Sequence, residues 1–543
     1  MPFLGAFHGL FASNMAYLRP NYTILASMST GSDSFKDIVA HSKEYGYVFP
    51  SSEIYDGLGA VYDYGPYGSE LKKNIRDYWW KAMVHANDDV VGLDSAIFMN
   101  PRTWKASGHV DNFNDPLIDN KDSKKRYRAD VLIEEHIEKY RLKIEKDVEK
   151  GRVKFGDSFD ESQFRATNVN VLRNKAKITE IETQFEACMS TGNLSGVKKL
   201  IEDLEIVCPE SGTKNWTDVR QFNLMFSTQM GSVADDSGLI YLRPETAQGI
   251  FVNFLNVQKS SRRKVPFGIA QTGKAFRNEI VARQFLFRMK EFEQMEMQFF
   301  VRPGTEMEWY QHWKQKRMNW HLSLGTRPDK YRFHDHINLA HYANAAVDIE
   351  FDFPIGFKEV EGIHSRTDFD LRRHEAESGR KLRYFDPEIS ESYIPYVVET
   401  SLGLDRMFLL LLSDAFCTEN LHQEGQDSER TVLKLAPIVA PIKLAILPLV
   451  KKDGLAEMAE KVFDDLRFDF SCQYDDKDAI GRRYRRQDAI GTPFCITIDY
   501  ESLRDESVTL RYRDSMEQRR IKLAALKENI QEELNVAKML RSI

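Results

Sequence analysis

Only five cysteines, Cys188, Cys208, Cys417, Cys472 and Cys495, occur in 543 residues, and no two stand at a paired spacing. This excludes a disulfide framework and fits a reducing compartment. Cys208-Pro-Glu-Ser-Gly212 has no second cysteine close by, so no structural zinc is expected. The sequence also lacks any apolar run near the roughly 18 to 20 residues that a membrane-crossing helix requires, so no membrane partner is expected. Excess basic charge is absent too: 82 Asp and Glu outweigh 75 Lys and Arg, for a net charge of −7. A chain that merely coats nucleic acid is thereby excluded, and any RNA must be held by local basic patches. Internal repeats and low-complexity tracts are missing. Residues 1–33 carry Arg19 as their sole Lys or Arg and no acid before Asp33. They have neither the basic start of a secretory signal nor the arginines of a transit peptide. We read them as a flexible extension, with a start at Met28 and an organellar targeting peptide as the competing readings.

The length exceeds what one hydrophobic core usually serves, and 42% apolar residues can fill several. Phe35 to Pro116 is rich in aromatics and reads as helix, strand, turn and helix, the Gly/Pro turn lying in Tyr62-Asp-Tyr-Gly-Pro-Tyr-Gly68. The charged, periodic stretch at about 119–215 reads as exposed helices of an insertion. Between Phe222 and Arg406, short β-rich runs (239–242, 267–271, 295–301, 347–353) alternate with turns and few long helices. They predict an antiparallel sheet flanked by helices, closed by a helix over 402–412. Pro437-Ile-Val-Ala-Pro441 marks a boundary. Beyond it come a strand at 443–449, a helix at 455–466, a strand at 470–474, a helix at 478–490, strands at 493–500 and 508–512, and a last helix: an α/β unit of normal domain size. The expected fold class is α+β, with a catalytic domain over 34–430, the helical insertion within it, and a C-terminal α/β domain over 437–543.

Three motifs carry chemistry: Phe276-Arg-Asn-Glu279, Arg288-Met-Lys-Glu-Phe292 running into Glu293-Gln-Met-Glu296, and Gly403-Leu-Asp-Arg406. In this order, and with Tyr62 to Trp80, Leu242 to Phe251, Glu361 to Leu371, Ile480 to Arg486 and Gly491 to Phe494, the chain from Phe35 onward resembles the glycyl-tRNA synthetases. These are the dimeric type of class II aminoacyl-tRNA synthetase. The resemblance implies ATP as a substrate used with Mg2+, glycine and tRNA-Gly as partners, a homodimer, and a cytoplasmic setting. The C-terminal unit becomes an anticodon-binding domain.

It also implies site residues. Arg277, Asn278, Glu279, Phe287, Arg288, Phe292, Glu359, Val360, Gly403 and Arg406 would surround ATP. Arg277, Glu279 and Arg406 would be catalytic, and Glu359 would reach the nucleotide through Mg2+, a cation that takes oxygen ligands. Attack of a carboxylate on the α-phosphate gathers negative charge, and the planar fork of Arg277 suits it. Phe292 and Arg406 would stack on opposite faces of adenine. Arg128, Glu245, Phe292, Glu296, Glu399, Ser401 and Gly403 would surround glycine. Carboxylates sharing one pocket raise each other's pKa unless a cation lies between them, and the glycine ammonium would be that cation. Thr400 and Leu402 stand where many relatives have Pro and Ala, with Glu399 and Ser401 still in register.

Each residue has a plainer alternative. Arg277 alone reads as a surface arginine paired with Glu279, Phe292 as a core aromatic, Arg406 as a helix charge and Glu359 as a strand-edge charge. The glutamates read as exposed or arginine-paired acids. Arg482, Arg483, Arg485 and Arg486 form the clearest basic cluster for tRNA, with Tyr484 available to a base, although charge runs are usually solvated faces. Two further readings compete: a catalytically silent synthetase relative, against which Arg277, Glu279, Glu359 and Arg406 speak, and a synthetase for serine, threonine or proline, against which the glutamate walls speak.

Overall fold

The computed structural model describes residues 23–27, 32–231, 238–280, 284–336, 339, 343–423, 426–541 and 543. Residues 1–22 and 28–31 of the expected extension lie outside the described residues, whereas Thr23–Ser27 form a strand paired with Phe416–Gln423. Among the described residues, no helix is long and apolar enough to cross a membrane.

A seven-stranded sheet organises the catalytic region. Its strands are β1 (Val90–Gly92), β2 (Phe267–Phe276), β3 (Glu291–Val301), β4 (Tyr331–Asp335), β5 (Ala345–Phe353), β6 (Gly356–Thr367) and β7 (Tyr396–Gly403), ordered β4-β5-β6-β7-β3-β2-β1. All neighbours are antiparallel except β1 and β2. Side chains alternate along each strand, and the two faces differ sharply. Met295, Met297, Phe299, Val347, Ile349, Ile363, Val398 and Leu402 point into the main core, which also holds the buried face of the helix Leu404–Ala415. Each such fully buried side chain contributes about 1.5–3 kcal/mol. The opposite face carries Gln271, Gln294, Glu296, Gln298, Glu399 and Ser401. The closing helix starts at Leu404 rather than at 402 because Leu402 and Gly403 still pair in β7.

Helix Pro66–Trp80 opens with proline at its first turn, where the missing N–H costs nothing. Gly68 is required there, since a Cβ would lie 1.8 Å from the Tyr47 carbonyl oxygen. Few long helices were expected in the middle of the chain, yet Glu306–Ser323 is a helix of 18 residues packed on the core face of the sheet. Its polar residues conceal it: Arg317 and His321 turn inward, and both hydrogen-bond the buried Glu361 of β6. The periodicity is therefore not apolar against polar.

The insertion pairs strands Asn114–Asp119, Arg126–Arg128 and Arg220–Asn223 and carries helices Ala129–Phe155, Glu161–Thr167, Val169–Ser190 and Leu194–Asp203. It has a small core of its own around Ile133, Ile137, Ile201 and Trp216. Beyond the proline-marked linker, a five-stranded sheet runs in the order Cys472–Tyr474, Leu444–Pro448, Phe494–Ile498, Ser507–Tyr512, Gln518–Lys522. The first three of these strands are parallel. Helix Leu455–Leu466 lies where the sequence predicts it, its Leu455, Ala459, Val462 and Leu466 buried.

Candidate active site

The face of the sheet turned away from the main core forms the floor of the site, beside the helix Ala247–Ser260, which packs on Phe267, Ile269 and Phe300 of that face. Glu296 on β3 stands opposite Ser401 on β7 and Gln271 on β2, and Gln298 stands opposite Glu399. Ser401 Oγ donates to Glu296 Oε1 at 2.7 Å, and Gln294 Nε2 donates to the same oxygen at 3.0 Å. Thr246 Oγ1 donates to Glu296 Oε2. Only 2% of Glu296 is exposed. Burial, reinforced by the carboxylates of Glu399 and Glu245, pushes its pKa up to about 8.

The two neighbouring acids go the other way. Burial would raise Glu399, but the Arg366 guanidinium at 3.2 Å and His364 Nδ1 at 2.9 Å hold it down at about 2. Gln298 Nε2 donates to it at 2.7 Å. Burial would also raise Glu245, yet the His109 ring, 3.5 Å away, and the charge of Arg366 keep it well below the usual carboxylate range. Gln248 joins Glu245 to Asp370, and Arg366 forks onto Asp370. Three glutamates thus surround one spot: two are neutralised by partners, and the third wants either a proton or a cation.

The tripeptide Pro244-Glu245-Thr246 links this spot to Arg277. The Pro244 carbonyl accepts from Arg277 Nε at 3.0 Å while Thr246 reaches Glu296. The Arg277 guanidinium lies between the rings of Phe113 and Phe292, 5.3 and 5.2 Å from their centroids. Its two terminal nitrogens have no hydrogen-bond partner among the described residues. The plain alternative of an Arg277–Glu279 surface pair is not what forms. Glu279 is buried, and its Oε2 has no hydrogen-bond partner among the described residues.

Arg406 stacks on Phe287 at 4.5 Å and pairs with Glu359 at 3.1 Å, the main cause of a lowered Glu359 pKa. Phe292 packs under Arg277, whereas Arg406 rests on Phe287. Glu359 is 47% exposed, and Val360 beside it is buried. Gly403 sits close against the Arg406 side chain. Asn278 is held through its backbone N–H on the Leu224 carbonyl, and Arg288 acts electrostatically on Asp115. Among the described residues, no group of three His, Cys, Asp or Glu could hold a metal ion.

Arg128 pairs with Asp130 at 2.6 Å and Asp115 at 3.1 Å, and it acts on Glu279. Those contacts place it on the Arg277–Arg288 side of the site, at the base of the insertion.

The basic cluster of the C-terminal domain needs correction. Arg483 is 2% exposed and donates to the carbonyls of Pro448, Asp475 and Leu449, which makes it a structural clasp. Arg486 is paired with Asp475 and Asp478. Tyr484 is occupied by Thr497 and lies under Arg511. Helical spacing turns position 483 to the sheet, leaving Arg482 and Arg485 exposed.

The sequence reading missed His109, Thr246, Gln294, Gln298, His364 and Arg366. The alternation Gln294-x-Glu296-x-Gln298 was a usable signal, because period two puts all three on one face. The partners on β6 depend on strand register, which no local pattern gives.

Three segments match known families: residues 232–415 the class II core domain of tRNA synthetases (G, H, P, S and T), residues 115–224 the glycyl-tRNA synthetase insertion domain 1, and residues 443–533 an anticodon binding domain. The chain is 50% identical over 494 residues to a glycine–tRNA ligase of Chlorobaculum tepidum, covering 90% of this chain and 98% of the relative. It is 48% identical over 502 residues to that of Staphylococcus haemolyticus, covering 92% and 98%. Among solved structures, Giardia lamblia prolyl-tRNA synthetase in complex with prolyl-adenylate matches with a TM-score of 0.56 at 13% identity, over 95% of this chain and 82% of that one. At that identity the match speaks for the fold alone.

Proposed function

The chain belongs to the glycine–tRNA ligases, class II aminoacyl-tRNA synthetases, and from that premise we propose that it activates glycine with ATP and transfers it to the 3′ end of tRNA-Gly. The observation that carries the substrate is Glu296. A buried carboxyl with three donors and two acidic neighbours is a receptor for an ammonium group. With glycine bound, Glu296 becomes a carboxylate facing the ammonium, while Ser401 and Gln294 keep that carboxylate in place.

Arg277 then supplies the charge for activation. Two aromatic rings and the Pro244 carbonyl fix its plane in advance, so its free terminal nitrogens meet the α-phosphate without reorganisation. Arg406, braced by Phe287, lies at the nucleotide side. Glu359 would be the residue to hold a magnesium ion brought with the nucleotide, and such an ion would neutralise phosphate charge. We place the catalytic work in residues 34–430 and anticodon binding in 437–543, with Arg482 and Arg485 the basic residues available to RNA. The protein works as a cytoplasmic homodimer: the Tyr62 to Trp80 stretch resembles the family's dimer motif, and Ile54, Tyr55 and Leu58 nearby expose apolar surface.

The test is ATP–pyrophosphate exchange with each of the twenty amino acids in turn. Exchange with glycine alone supports the proposal. Exchange with another amino acid overturns the pocket, and no exchange from folded protein overturns the activity.

A further inference from the structure

The linker between the two domains is gripped from both sides. From the catalytic side, Asn74 Nδ2, on helix Pro66–Trp80, donates to the carbonyls of Val439 at 3.2 Å and Ala440 at 3.1 Å. From the C-terminal side, Lys443 Nζ donates to Ile438 at 2.7 Å and Ala440 at 2.6 Å. Both side chains therefore meet at the Ala440 oxygen, inside a segment already stiffened by Pro437 and Pro441.

Lys443 is an expensive choice for this place. It is partly buried, no carboxylate among the described residues lies within ion-pair distance, and burial draws its pKa down to about 7, with Glu70 only partly opposing. An ammonium satisfied by carbonyls alone gives up solvation to be there. The clamp adds to apolar packing, since Val439 and Ala440 are buried in the main core, and it borders a cleft of about 460 Å³ between Glu70 and Lys73 on one side and Phe470 and Gln531 on the other.

A second set of contacts joins the domains. In it His41 bonds the Ala489 carbonyl at 2.9 Å, Tyr47 donates to Ile490 at 2.8 Å, Arg513 donates to Leu435 at 2.8 Å, and the buried Arg430 pairs with Asp488 at 2.8 Å. The C-terminal domain is thus held by several contacts, including Gln473 Nε2 on the Tyr67 hydroxyl and the helix Val536–Leu540 packed on the main core, and the clamp fixes the linker among them. The helix that carries Asn74 also sends Lys72 to Asp405 and Arg76 to Glu293, the neighbours in sequence of Arg406 and Phe292.

We infer that Asn74 and Lys443 are positioning residues for the charging of tRNA: by holding Ala440 from opposite sides they set the angle at which the C-terminal domain presents RNA to the active site. The inference rests on the synthetase reading above. It separates the two half-reactions, since amino-acid activation does not need the C-terminal domain to be correctly turned.

The experiment compares the full-length parent with Asn74→Ala, Lys443→Met, Lys443→Arg and the Asn74→Ala/Lys443→Met double variant. Glycine-dependent pyrophosphate exchange and tRNA charging are measured on the same preparations. The expected result is parental exchange together with a KM for tRNA raised about tenfold in Lys443→Met, the scale of one hydrogen bond from a charged donor. Asn74→Ala should show a smaller rise, and Lys443→Arg, for which the cleft has room, should restore the parental value. Parental charging in the double variant overturns the inference. So does a parallel fall of both reactions, which would make the clamp a prop of the whole fold. Failure of the parent itself to exchange with glycine would instead overturn the functional reading.

Discussion

Ser401 and Glu296 stand directly opposite each other on adjacent strands, and the 2.7 Å hydrogen bond between them ties β7, at the centre of the sheet, to β3 at the floor of the proposed glycine pocket. Replacing Ser401 by alanine removes one of three donors from a buried carboxyl. The KM for glycine should rise about tenfold, with the KM for ATP unchanged. Steady-state exchange kinetics with each substrate varied in turn would check this, and an equal rise in both constants would dissociate Ser401 from the pocket.

Glu296 also makes a pH prediction. Its folded pKa of about 8 lies above the ordinary value of 4.5, so the stabilising contribution of its protonated form is complete below about 4.5 and is lost as pH rises toward 8. The ligand-free protein should therefore lose stability across that window, and Glu296→Gln should flatten the loss. Glycine binding at neutral pH should expel the proton, which calorimetry in buffers of different ionisation enthalpy detects. Binding without proton release would refute the assignment.

Arg277→Ala should lower glycine-dependent pyrophosphate exchange by at least about a hundredfold, as expected for loss of a fixed charge at a developing anion. Because Arg277 makes no ion pair with Glu279, the melting temperature should hardly move. A large fall in stability with unchanged exchange would return Arg277 to a structural role.

In the C-terminal cluster, neighbours should behave oppositely. Arg483→Ala leaves three carbonyls without their donor and should cost about 2–4 kcal/mol in chemical denaturation. Arg482→Ala and Arg485→Ala should leave stability alone and weaken tRNA binding in a salt-dependent way. Equal melting behaviour of all three would contradict the clasp.

Gly68→Ala sets a methyl group 1.8 Å from the Tyr47 carbonyl oxygen, a backbone atom that cannot swing away. A loss of about 3 kcal/mol or more is expected, read as a lowered denaturation midpoint. An unchanged midpoint would mean that the helix start can shift.

Local chemistry made much of this legible. Helix Leu455–Leu466 follows from its own apolar stripe, and β3 from period-two alternation. What stayed hidden depended on partners distant in sequence. Helix Glu306–Ser323 looks irregular because Arg317 and His321 are buried against Glu361. Likewise, Arg366 and His364 become supports of Glu399 only through the pairing of β6 with β7. Arg483 reads as a solvent charge until the helix is docked on its sheet.

In β3 one face of the strand lines the proposed substrate pocket and the other faces the core, so the proposed activity and folding share the same eleven residues. Inserting or deleting one residue there would put Met295 and Met297 in the pocket and Glu296 in the oil at a single stroke. Change in this strand is therefore confined to one-for-one replacement. Alterations in length have to be absorbed elsewhere, and the insertion, with its separate small core, is a place in the chain that can take them.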